Sequence, residues 1–63
     1  MPYVRVEMIE GRTDEQKAKL AQAITAAMVE HAGATPDSVF VVLDDVKKSN
    51  WAIGGTLISN RNK

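Results

Sequence analysis

A chain of 63 residues has room for one small domain. Eight Lys and Arg balance eight Asp and Glu, so no strong field draws in nucleic acid or an anionic membrane. Without cysteine there is no disulfide framework and no thiolate metal site. No apolar run approaches the ~20 residues that span a bilayer, and charge appears by Arg5, too early for a secretory signal. The expectation is a single cytoplasmic domain over residues 1–63.

Residues 2–9 alternate with period two. Val4, Val6 and Met8 fall on one face, and Tyr3, Arg5 and Glu7 on the other, which predicts a half-buried strand. Gly11 ends it. Thr13 with Gln16 three residues on forms a capping box, and Asp14 and Glu15 sit where the helix dipole favours acids. Leu20, Ile24, Ala27, Met28 and His31 follow helical spacing, Glu15 and Lys19 make an i,i+4 pair, and Gly33 stops the element. The helix therefore spans residues 14–32.

Residues 35–38 read as a turn. Val39-Phe40-Val41-Val42-Leu43 is a continuous apolar run, expected as a strand buried on both faces. Strand, helix and strand make a βαβ unit, parallel and right-handed by default. Residues 47–50 read as a loop, and Gly54-Gly55 as a tight turn between Trp51-Ala52-Ile53 and Thr56-Leu57-Ile58. Asp44-Asp45 reads as a solvated strand end, and the last four residues as frayed. One helix covers one face of two strands. The other face would leave an apolar patch that calls for a second subunit.

The usual nucleophile sets and phosphate loops are missing. His31 reads as a partner of the helix dipole, since no second His or Cys offers metal-ligand spacing. The informative residue is Pro2. Loss of the initiator Met would leave a free secondary amine, and an α-amino group titrates near ~8. Desolvation or a nearby cation lowers that value, giving a general base for neutral pH.

Here the sequence resembles the 4-oxalocrotonate tautomerase family over nearly its whole length. Ile9-Glu10-Gly11-Arg12-Thr13-Asp14-Glu15-Gln16-Lys17 is similar to the family's loop-to-helix motif, and Trp51-Ala52-Ile53-Gly54-Gly55 to its aromatic-x-Ile-Gly-Gly segment. The resemblance implies an α+β chain, one βαβ unit with a short C-terminal hairpin in the macrophage-migration-inhibitory-factor-like fold. It implies a hexamer built as a trimer of dimers, with no cofactor and no metal.

It also implies an isomerase acting on a small enol or keto acid. Pro2 would be the catalytic base and acid, moving a proton between the enol oxygen and a carbon of a 2-hydroxydienoate. Arg12 would bind a substrate carboxylate through its planar fork. Trp51 would wall the apolar pocket and hold the proline amine's pKa low.

Phe40 is a departure, because the family's tautomerases carry a second arginine there that polarises the substrate. Arg5, mid-strand, is no evident substitute. Related dehalogenases have an arginine where this chain has Ile9 and a glutamate where it has Ile53, so their chemistry is not expected. Asn50 could offer a hydrogen bond at the pocket rim. The competing expectations are decarboxylation of a small keto acid, a non-catalytic oligomeric binding module, and a ribbon-helix-helix DNA-binding dimer. The last needs two helices after its strand and a basic surface.

Pro2 and Arg12 stand ten residues apart along an extended strand, on the order of 30 Å at about 3.3 Å per residue. They can meet only if two chains pair antiparallel, so the site is expected to be shared between subunits.

Overall fold

A computed structural model describes residues 1–61. The first strand, β1 (Tyr3–Ile9), leads into a 19-residue helix, α1 (Asp14–Ala32). After a 3₁₀ turn at Pro36–Ser38 comes β2 (Phe40–Val46), and a second 3₁₀ turn at Lys48–Asn50 precedes a two-strand hairpin, β3 (Ala52–Ile53) and β4 (Thr56–Leu57). One helix and a parallel strand pair exclude the ribbon-helix-helix alternative.

Local chemistry sets the boundaries of α1. The Thr13 hydroxyl accepts from the Gln16 amide, and the Gln16 side chain accepts from the Thr13 amide at 2.9 Å, so both halves of the capping box are present. Glu15 pairs with Lys19 at 3.4 Å. Gly33, in the left-handed region at φ 70, ends the helix and donates to the Met28 carbonyl, as a glycine stop does. The half-buried stripe of the helix is Lys17, Leu20, Ala21, Ile24, Thr25, Met28 and Val29. It is rotated from the expected stripe, and Ala27 and His31 lie outside it. His31 is exposed in the last turn, 3.6 Å from Glu30.

β1 and β2 are parallel and in register from Tyr3↔Phe40 to Ile9↔Val46. Val4, Val6 and Met8 are half-buried toward α1, as strand alternation requires. Tyr3, Arg5, Glu7 and Ile9 share the opposite, open face with Phe40, Val42, Asp44 and Val46. β2 starts one residue later than expected because the Val39 amide donates to the Pro36 carbonyl and closes the preceding turn. It also runs three residues further. Asp44 and Asp45 lie within β2 rather than at its end and stay partly solvated: Arg5 pairs with Asp44 on the open face, and Lys17 with Asp45 on the helix side at 2.9 Å. The backbone ladder continues past them, where the Glu10 amide donates to the Val46 carbonyl.

The expectation that β2 is buried on both faces fails for the single chain. Phe40 is 49% exposed and Val42 38%, because the single helix leaves the open face uncovered. Among the described residues none is fully buried. The tail differs as well. Ile58–Asn60 forms a 3₁₀ turn closed by the Arg61 amide on the Ile58 carbonyl, and the Ile58 amide donates to the Trp51 carbonyl at 2.8 Å. Of the four residues expected to fray, Asn60 and Arg61 are thus structured, and Asn62 and Lys63 lie outside the described residues. The hairpin turn is Gly54-Gly55, at φ 59 and φ 87. A tight two-residue connection requires such a positive pair.

Candidate functional site

The expected site residues fall at opposite ends of the strand pair. At one end the Pro2 carbonyl accepts from the Phe40 amide at 2.9 Å, so these two residues are neighbours. Pro2 is half-buried, and Phe40 presents its ring on the open face. At the other end, past Ile9, Arg12 donates from Nη1 to the Ile9 carbonyl at 2.7 Å. That bond draws the guanidinium back toward the end of β1 rather than along the helix. Trp51 stands at this second end too. It shares a shallow hollow of about 320 Å³ with Glu7, Val46, Asn50 and Ala52.

One chain therefore brings Pro2 together with Phe40, and sets Trp51 and Asn50 at the end where Arg12 emerges. It does not bring the two groups together. At the usual rise of a strand, β1 covers roughly 20 Å, more than any side chain crosses. Arg5 lies between the ends. Within the chain its guanidinium is engaged by Asp44 and by Glu7, the latter at 3.3 Å. Sequence reasoning places Glu7 on the open face but misses it as a pocket residue. Strand alternation gives its face, whereas its neighbours Trp51 and Asn50 arrive only through the fold.

A larger groove, about 540 Å³, runs along the flank of α1 between Ala21, Thr25, Ala26, Val29 and Pro36. Its walls are small apolar groups with only Gln22 and Glu30 as longer polar ones, so it carries no acid–base constellation. Among the described residues no group of three His, Cys, Asp or Glu is placed to hold a metal ion. Among them, too, no helix is long and apolar enough to cross a membrane.

A parallel β-α-β unit with a glycine-turned C-terminal hairpin, and polar chemistry at the two ends of one strand pair, defines a small α+β protein of the 4-oxalocrotonate tautomerase fold. Residues 2–61 match the family model described as tautomerase enzyme, and the chain belongs to that family. It is 42% identical over 60 residues to a 2-hydroxymuconate tautomerase of Bacillus subtilis, covering 95% of this chain and 97% of the relative. A solved 4-oxalocrotonate tautomerase isozyme from Methylibium petroleiphilum superposes with a TM-score of 0.90 at 40% identity, covering 98% of this chain and all of the other. A heterohexameric 4-oxalocrotonate tautomerase from Chloroflexus aurantiacus superposes at 0.89 with 33% identity, over 97% and 98%. The chain is thus an isomerase-family enzyme similar to 4-oxalocrotonate tautomerase.

Proposed function

We propose that this chain is a tautomerase of enol-type 2-hydroxy acids, with Pro2 as the proton-transfer residue after removal of Met1. The observation that carries the reading is the placement of Pro2 and Phe40 at one end of the sheet and of Arg12 and Trp51 at the other. In this scheme the neutral secondary amine takes the proton of the substrate 2-hydroxyl and returns one to a carbon of the conjugated system. The net change is a shift of hydrogen and of the double bonds, and no cofactor takes part. Arg12 holds the carboxylate by two parallel N–H···O bonds. Trp51 supplies an apolar wall that disfavours the ammonium form of the proline.

The site is completed by a second copy of the chain in antiparallel register along β1, which sets the Pro2 end of one strand against the Arg12 end of the other. Several features of the single chain support assembly. It exposes 4767 Å², against ~4,000 Å² for a folded monomer of its mass. Its radius of gyration is 14.9 Å, against ~11 Å for a compact chain of this length. Phe40, Val42 and Tyr3 on the open face, and the groove along α1, remain uncovered. One chain has a mass of 6.9 kDa. By analogy with the hexameric relative, six such chains form a closed particle of about 41 kDa. Balanced charge leaves a small acid, rather than nucleic acid or a membrane, as the partner, and a cytoplasmic enzyme is the reading consistent with it.

The test joins two measurements. Intact mass spectrometry of purified protein is expected to show loss of Met1, and Pro2→Ala is expected to lower kcat/KM on phenylenolpyruvate by about 10²–10⁴-fold, the usual range for a general base. Retention of Met1 in an active preparation, or full activity without the proline, would overturn the reading.

A further inference from the structure

The geometry points to Glu7 as the residue that sets the charge of the substrate this site accepts, excluding a second carboxylate from the hollow beside Trp51. The inference rests on the tautomerase reading above and narrows its substrate class. Glu7 sits on the open face of β1 and lines the same hollow as Trp51 and Asn50. That hollow lies at the Arg12 end of the sheet. An acid whose first carboxylate is held by Arg12 therefore places its remaining bulk against the indole, with Glu7 beside it.

Arg5 does not neutralise this arrangement. Its Nε lies 3.3 Å from Glu7, but its Nη2 is committed to Asp44. One cation between two carboxylates leaves this stretch of the open face with one net negative charge. No lysine or arginine lines the hollow itself, whose walls are Glu7, Val46, Asn50, Trp51 and Ala52. A second carboxylate entering it meets one like charge at close range and no cation in the lining. An uncharged group, by contrast, finds an aromatic face to stack on and, in Glu7 and Asn50, hydrogen-bond acceptors. The substrate class is thus a monocarboxylic enol acid with an uncharged, flat distal group.

The experiment compares trans-cinnamate with 4-carboxycinnamate, which share one shape and differ by one carboxylate. Binding to the assembled protein is followed by NMR through the indole N–H of Trp51, the single tryptophan of the chain, so the signal reports this hollow. The native protein is expected to bind cinnamate at least about fivefold more tightly, as a like charge about 4–6 Å away in a half-solvated site demands. Added salt is expected to narrow that gap. Glu7→Gln, nearly isosteric and on an exposed side chain, should reduce the preference at least threefold.

Asp44→Asn is the control: it leaves Arg5 paired with Glu7, so it lowers the net negative charge of this stretch while keeping the Glu7 carboxylate in the hollow. It should therefore weaken the preference less than Glu7→Gln does. An unchanged preference in Glu7→Gln overturns the assignment, as does an equal or greater loss in Asp44→Asn, which would place the discrimination in the net charge around Arg5 rather than in Glu7. A Trp51 resonance that neither ligand moves also overturns it. Turnover of phenylenolpyruvate by the native enzyme, measured alongside, separates these outcomes from a failure of the Pro2 reading: an active enzyme lacking the charge preference removes only the role of Glu7.

Discussion

The two ends of the β1–β2 pair differ in how their chemistry is anchored. The Pro2 end is held by the main chain: the Phe40 amide grips the Pro2 carbonyl, and the ladder starts one residue later at Tyr3↔Phe40. At the Arg12 end the main chain also closes the ladder, the Glu10 amide on the Val46 carbonyl, but the site residues lie beyond the strands: the arginine folds back on the Ile9 carbonyl, and Trp51 follows a 3₁₀ turn and is pinned from the tail. The first end is a fixed point for a proton-transfer group. At the second, Arg12 and Trp51 stand outside the strand pair, so changing either removes no ladder residue. On the proposed reading, reaction chemistry falls to the first end and substrate choice to the second, with one of each supplied by different chains.

The largest effect comes from breaking that pairing. Pro2→Ala and Arg12→Ala are each expected to lower kcat/KM by about 100-fold or more. Co-refolding the two variants in equal amounts should restore about a quarter of native activity. Half of randomly formed antiparallel dimers are then mixed, and each mixed dimer holds one intact site of its two. Steady-state assay of the mixture, with mixing verified by mass spectrometry, decides this. No recovery would place both residues of a site on one chain.

A smaller effect sharpens the contrast at the fixed end. Phe40→Arg adds the charged donor that the family pattern has at this position, and such a group is worth about 2–4 kcal/mol when it acts on developing charge. Phe40 is 49% exposed in the single chain, so the chain's own packing leaves room for the longer side chain. The variant should raise kcat/KM on 2-hydroxymuconate about tenfold or more relative to phenylenolpyruvate. A native enzyme already efficient on the dicarboxylate would show that another group supplies this interaction.

Legibility in the sequence follows the range of the interactions. The capping box, the Gly33 stop and the Gly54-Gly55 turn are contacts between residues a few positions apart, and all stand where the sequence puts them. The end of β2 does not. Two consecutive aspartates argue against a strand, yet the ladder continues through them, with Arg5 of β1 and Lys17 of α1 paired to their carboxylates. The helix stripe is rotated from its expected line: Ala21, Thr25 and Val29 are half-buried in the groove they share with Pro36, which only the turn after the helix brings to them. The same holds for the site. Pro2, Arg12, Phe40 and Trp51 stand out by residue type or motif, whereas Glu7 becomes a pocket residue only when the fold carries Trp51 to it.

The pH profile tests the link between the ends. A proline amine must be neutral to accept a proton, so kcat/KM should fall as pH drops through its pKa. The Arg12 charge and the Trp51 wall of a second chain both disfavour the ammonium form, placing the activity midpoint below the ~8 of a free α-amino group. Trp51→Ala admits water and should move the midpoint up toward that value. Arg12→Ala should do the same while also raising KM. The profile between pH 5 and 9 on phenylenolpyruvate, corrected for substrate ionisation, is the measurement. A midpoint unmoved by either change would mean the two ends do not meet.

The smallest expected effect lies on the helix side, away from both ends. The Lys17 ammonium donates to Asp45 at 2.9 Å and lies 3.7 Å from Asp14. The hydrogen bond to Asp45, and then that carboxylate's charge, raise the lysine pKa above its ordinary 10.5. A group whose pKa is raised by folding stabilises the fold while it is protonated in both states. That contribution is therefore complete at pH values below the ordinary lysine pKa and is lost as pH climbs through the raised value. Asp45→Asn should remove it, so the native protein and the variant should differ in melting temperature at pH 9 and converge in the strongly alkaline range. The difference should be small, because partly solvated ion pairs contribute little, and added salt should shrink it. A gap that persists unchanged above the titration of Lys17 would assign the role of Asp45 to strand packing rather than to its charge. The long reach of β2 past Leu43 would then owe nothing to this ion pair.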